Sequence, residues 1–184
     1  MLRFLLPLLF ICSLGTGARA QMDAPRDLQA LLDSFGVELV PPPATYKTLP
    51  PHPNDYLTDQ FRTLAREDKL EIRLAFQREF PDDRMYDLPH LVTGLLVTNL
   101  SSNDEDVITT VHRFDEEEMG RLRADWAALH TFRPKRSFSG YRHAQLVTLY
   151  RAGFGYVQLV LCFDRAPATL DAWHTALRFV PPAG

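Results

Sequence analysis

Two sets of side chains have types and spacings that fit chemistry. The first is basic: Arg133, Lys135 and Arg136, then Arg142 and His143, then Tyr150 and Arg151. An arginine presents a rigid fork of N–H donors that matches carboxylate and phosphate oxygens. Arg133, Arg136, Arg142, His143 and Arg151 therefore form a candidate binding set for a small anionic ligand or an acidic partner patch. The same charges also suit a solvated strand edge that resists edge-to-edge association, and the spacing admits both readings. The second set is His52-Pro53-Asn54-Asp55-Tyr56. An imidazole and a carboxylate three residues apart on proline-stiffened backbone fit acid–base work. Asn54 and Asp55 equally fit a turn or a cap.

Other catalytic patterns are missing. The chain has no G-x-S-x-G, H-E-x-x-H, C-x-x-C or phosphate-binding glycine loop. Gly153-Phe154-Gly155 reads as a hairpin turn with a bulge. Ser137 and Ser139 beside Gly140 carry no oxyanion signature. None of the six histidines stands three or four residues from another, the spacing for helical metal ligands. The acidic run Ser101–Asp106 lacks the D-x-D-x-D-G register of a calcium loop. Neither a metal nor a cofactor is expected.

Composition narrows the class. In 184 residues there are 20 Lys+Arg, 23 Asp+Glu and 46% apolar residues, which is ordinary for a folded globular chain. The opening MLRFLLPLLFICSLGTGARA has Arg3, an apolar stretch Phe4–Leu14 and Ala18-Arg19-Ala20. It reads as a secretory signal cleaved after Ala20. Eleven helical residues reach about 16 Å, too short for ~30 Å of hydrocarbon. Ile11 before Cys12 is too large for a lipoprotein site. The expected mature domain, residues 21–184, is periplasmic or secreted. It keeps 18 basic against 23 acidic groups, because Arg3 and Arg19 leave with the signal. That acidity argues against nucleic acid and anionic lipid as partners. Only Cys162 remains, inside the apolar run Leu159–Phe163, so no internal disulfide is expected and the thiol reads as a core side chain.

The elements that must position these residues follow from periodicity. Leu28, Leu31, Leu32 and Phe35 make a helical stripe that Gly36 closes. A strand begins at Val37. Residues 41–53 hold six prolines and read as extended, irregular backbone that Tyr46 and Tyr56 pin down. A hairpin joins Phe61–Ala65 to Lys69–Phe76, with Leu70, Ile72, Leu74 and Phe76 on one face and Glu71, Arg73 and Ala75 on the other. Pro81-Asp82-Asp83 is a turn. Residues 88–100 are ambiguous between helix and strand. Helix is favoured, capped by Asp87, with Leu88, Leu91, Val92, Leu95, Leu96 and Asn99 along one side. A short strand over Val107–Phe114 precedes a helix with a capping box, Asp115 and Glu118. Its stripe is expected to run through Met119, Leu122, Trp126 and Leu129 to Arg133-Pro134, with Trp126 in the core. Residues 141–163 form the strongest hairpin, apolar on both faces at Leu161, hence central. A last helix carries Leu170, Trp173 and Leu177.

This order predicts an α+β fold: an antiparallel sheet built from hairpins, with helices packed on its faces. The closing hairpin and helix resemble the PsbP-like and DcrB-like small exported α/β sandwiches, through Gln145-Leu146-Val147, Gly153, Gly155-Tyr156-Val157 and Leu177-Arg178-Phe179. The resemblance implies an accessory or binding role and transfers no functional residue. Three functional readings follow. The first is an exported non-catalytic domain that binds a protein or a small anion. The second is a small hydrolase using His143 or the His52/Asp55 pair. The third is an immunity-type protein that blocks a toxin with its acidic Asn103–Asp106 loop.

Overall fold

A computed structural model describes residues 26–52, 54–79 and 85–181. The signal segment, Pro53 and the turn Pro81-Asp82-Asp83 lie outside the described residues. The elements are α1 (Arg26–Ser34), β1 (Val37–Leu39), β2 (Tyr46–Thr48), β3 (Phe61–Ala65), β4 (Leu70–Gln77), α2 (Pro89–Leu100), β5 (Thr110–Arg113), α3 (Glu116–Leu122), β6 (Trp126–Phe132), β7 (His143–Arg151), β8 (Gly155–Phe163), α4 (Leu170–Trp173) and β9 (Leu177–Phe179). Seven strands form one antiparallel sheet in the order β2-β3-β4-β8-β7-β6-β5, and β1 pairs with β9 in a separate ribbon. The fold is therefore α+β, with helices on both faces of the sheet.

Each face has its own core. The first gathers Leu28 and Leu32 of α1, Leu122 of α3, Trp173 of α4, and the β1–β9 ribbon over Ile72, Leu159 and Leu161. The second gathers Val97 and Leu100 of α2, with Leu57 and Phe138, over Leu146, Val160 and Cys162. Strand β8 lies between β4 and β7 and is buried along its whole length. Leu161→Ala is expected to cost about 2–5 kcal/mol, the usual penalty for emptying a packed leucine site. A denaturant titration that shows less than about half a kcal/mol would refute the central position of β8.

Four local expectations are corrected. Helix α3 has its capping box, in which Glu118 N–H donates to Asp115 and Asp115 N–H donates to Glu118. It stops at Leu122 rather than running to Arg133. Arg123 turns left-handed at φ 54° and its N–H bonds back to Gly120 and Met119. Trp126–Phe132 is instead β6, paired with β5 and β7. Small Ala127 and Ala128 pack on opposite faces of that strand, and Trp126 at its start is only half-buried. Leu177 belongs to β9, opposite Leu39 of β1, and not to the last helix. Helix α2 forms, but Leu88 occupies its cap with no side-chain bond, so Asp87 does not cap it. It also buries Pro89, Thr93, Val97 and Leu100; of the expected stripe, Leu88, Leu91, Leu95 and Asn99 are exposed, while Val92 and Leu96 are half-buried and Leu96 packs against the second core. Finally, β4 is buried on both faces, Glu71 and Arg73 included. Within the proline-rich segment, Tyr46–Thr48 pairs with β3 as an edge strand.

Candidate functional site

Arg151 stands apart from the other four basic residues, whereas the register of β6 and β7, Phe132 opposite Ala144, brings Arg133 to the same end of the sheet as Arg142 and His143. His143 and Arg151 close opposite ends of β7, about 27 Å apart at ~3.4 Å per residue. Arg151 reaches back to the carboxyl-terminal ribbon: its Nη1 donates to Val180 O at 3.0 Å, and its guanidinium lies 4.9 Å from the Phe154 ring centroid. Arg133 donates to Asp104 at 3.0 Å and Asp106 at 2.6 Å, which ties down the acidic loop proposed for toxin capture. Arg142 and His143 are exposed at the start of β7. The backbone N–H of Arg142 donates to Asp164, and the ring of His143 stacks on Phe163 at 5.8 Å. Arg136 is exposed in the following turn's approach to Phe138.

The His52/Asp55 segment is held as a turn. Asn54 Oδ1 accepts the N–H groups of Tyr56 and Leu57, while its Nδ2 donates to the carbonyls of His52 and Leu57. Asp55 points to solvent and His52 is half-buried. The second residue of the expected pair therefore sits on an exposed turn whose geometry Asn54 sets. Among the described residues, no cluster of three or more His, Cys, Asp or Glu is placed to hold a metal.

The sequence reading missed a buried ionic cluster. Strand register places Arg62 of β3 beside Arg73 of β4, on the face that α2 covers. Arg62 donates to both oxygens of Glu71, at 2.9 and 2.7 Å, and Arg73 Nε donates to Glu71 at 2.7 Å. Arg73 is 1% exposed, and its guanidinium lies 4.4 Å from the Phe138 ring centroid. Burial alone would raise the Glu71 carboxyl, but the two guanidinium groups outweigh it and hold the pKa below the usual carboxylate range. Cys162 lies opposite Glu71 in the register. Burial pushes its thiol up to about 11, so it is protonated at neutral pH and has the character of a core side chain. Glu71 and Arg73 are buried, and the Arg62 side chain keeps 17% exposure and also donates to Pro50 O at 3.3 Å. The cluster lies under the second core, where Arg73 packs against Phe138.

Helix α2 is the surface feature that stands out. From Pro89 to Leu100 it holds no Asp, Glu, Lys or Arg. A helix without charge and rich in Leu and Val tends to be buried. Yet Leu88, Leu91 and Leu95 are 40%, 44% and 54% exposed. Exposed carboxylates flank the helix in sequence, with Asp87 before it and Asp104, Glu105 and Asp106 beyond its end. The available sequence signal was the run without charge. Periodicity chose the wrong buried face, because no face carries a charge and Leu and Val recur around the helix.

Between the carboxyl-terminal half of α2 and β6 lies an open cleft of about 310 Å³. Gly94, Val97, Thr98, Ser101, Ser102, Asn103, Thr109 and His130 line it. The end of α2 is fixed against the segment after β6 by Ser102 N–H to Arg133 O and Lys135 N–H to Leu100 O, both 2.8 Å. That anchoring holds the cleft open between two rigid elements.

Fold and surface together define an antiparallel α+β domain with helices on both faces and one uncharged helix turned to solvent. Compared with known proteins, the chain matches no family model and no curated relative.

Proposed function

We propose that the protein is an exported, non-catalytic binding or accessory domain that docks a protein partner on the outer face of α2. One observation carries this reading: a helix with no charged residue leaves three leucines in water. Contiguous apolar surface of this kind is the usual mark of an interaction site. Export rests on the signal-like opening, Met1–Ala20. The resemblance to PsbP-like and DcrB-like accessory proteins points the same way.

Charge selects the occupant. Four exposed carboxylates flank the helix in sequence, and Arg133 is bonded to two of them. A second copy would bring like charges together in either helix orientation, and an anionic bilayer would be repelled. The fitting partner is a protein segment with an apolar stripe flanked by Lys or Arg. Among the described residues no helix is long and apolar enough to cross a membrane.

A photo-reactive residue at Leu95, introduced in the native host, tests this. The expected product is a cross-link to one protein segment with basic flanks, absent when the same residue replaces exposed Glu117 on α3. The recovered chain should begin at Gln21. Cross-links to lipid or to a second copy, or none above the Glu117 level, would overturn the proposal.

A further inference from the structure

The seven-stranded sheet has two edges, and they are finished differently. Strand β2 closes one of them, with Pro41, Pro42 and Pro43 before it and Pro50 and Pro51 after it. Prolines beside an edge strand discourage an incoming strand, because they offer it no N–H. Strand β5 closes the other edge without that protection. Residues 107–111 are Val-Ile-Thr-Thr-Val, a β-branched run suited to a strand. Every residue from 108 to 113 is exposed, Ile108 at 79% and Val111 at 56%. Register shows which backbone groups are open. Phe114 N–H donates to Ala127 O at 3.3 Å, so Phe114, His112 and Thr110 turn their N–H and C=O groups to β6. Val111 and Arg113, between them, turn theirs outward. Among the described residues nothing pairs with this outer side, and β6 is the one strand beside β5.

An extended peptide that adds to such an edge is held through its own main chain. Charge selects its flanks. Residues 104–106 before the strand and 115–118 after it are all Asp or Glu. Against these seven carboxylates stand Arg113 on the strand, Arg121, and Arg133, which bonds to Asp104 and Asp106. His112, 3.6 Å from Glu118, adds positive charge only when protonated. An antiparallel second copy would set 104–106 of each chain toward 115–118 of the other, like charge on like charge. We infer that β5 is a docking edge for an extended segment of another protein, β-branched at its centre with Lys or Arg at both ends. Main-chain pairing at β5 needs nothing from the outer face of α2.

Amide hydrogen exchange of the full mature chain provides the test, with the synthetic probe Lys-Lys-Thr-Val-Thr-Val-Thr-Lys-Lys. The probe is expected to bind with a Kd below about 1 mM. At saturation it should slow exchange of the Val111 and Arg113 amides about tenfold or more and leave the α2 amides at their free rates. N-methylation of its Thr and Val residues removes its donors and should abolish binding. Exchanging its lysines for glutamates should weaken binding about tenfold or more. Val111→Pro removes an outward N–H and spares the ladder to β6, so it should weaken binding by a similar factor, with Tm read alongside. The methylated and glutamate probes test the edge even if that variant unfolds. No protection at Val111 and Arg113 would overturn the inference. So would equal binding by either altered probe or by folded Val111→Pro. A dimer of the free chain that Val111→Pro dissolves would also overturn it, since a second copy would then be the occupant. Protection at α2 in place of β5 would do the same, and the Leu95 cross-link judges that face separately.

Discussion

Glu71→Ala is expected to destabilise the protein by about 3–5 kcal/mol, the cost of leaving a buried charge without its counter-ion. Arg73 is 1% exposed and donates to Glu71, and Arg62 donates to the same carboxylate through two nitrogens. Removing the carboxylate strands Arg73, to which Phe138 offers only a ring face, while Arg62 keeps its bond to Pro50 O and some contact with water. For a chain of this length the loss corresponds to a Tm drop of roughly 8–15 °C. Adding Arg73→Met should recover much of it, because an apolar side chain then replaces the stranded cation. If Glu71→Ala alone shifts Tm by less than about 2 °C, the cluster is not the tie that holds β3 and β4 under the second core. The pH dependence has a definite sign. The folded Glu71 carboxyl lies below its unfolded value, so its stabilisation is full above about pH 4.3 and is lost as pH falls through the depressed folded value. The Glu71→Ala variant should lack that acid limb.

Gly155→Ala carries the other large effect. Gly155 opens β8 at φ 102°, a region other residues avoid. A Cβ there would sit 2.2 Å from Gln77 O and 2.9 Å from both Arg78 Cα and Glu79 N. These are backbone atoms at and just past the end of β4, so no rotamer change relieves the clash. The expected cost is above about 3 kcal/mol, from strain and displaced β4–β8 pairing together. Gly153 provides the internal control. Its φ is 80°, but a Cβ would meet nothing within 4 Å. Gly153→Ala should therefore cost only backbone strain, about 1–2 kcal/mol. Equal Tm losses for the two variants would show that close approach at Gly155 is not the cause.

Period and punctuation determined a good part of this protein. The α1 stripe with Gly36 at φ 59°, the capping box of α3 and both hairpins follow from local spacing, turn residues and caps. So does the central, doubly buried β8, because an apolar run on both faces of a strand has few other places to go. These features depend on interactions within about twenty residues of chain, and the sequence states them directly.

Tertiary structure decided the rest, for reasons that can be named. Helix α3 ends at Arg123 in a left-handed turn that carries neither glycine nor asparagine, so no residue type announced it. Strand β6 then exists because β5 and β7 pair with it; its alanines fit helix or strand alike. The β1–β9 ribbon joins Val37 to Phe179 across most of the chain, a pairing with no local trace. Glu71 and Arg73 alternate like a solvent face and are buried only because α2 and the Phe138 segment cover them. The basic residues of 133–151 looked like one site because they are close in sequence, but an extended strand spends that closeness on distance and parts His143 from Arg151. Conversely, Ser101 and His130 are 29 residues apart and meet at one cleft, because the end of α2 is bonded to the segment that follows β6. Which apolar face of α2 stays in water was likewise a question of packing, since a helix without charge has no face of its own to declare.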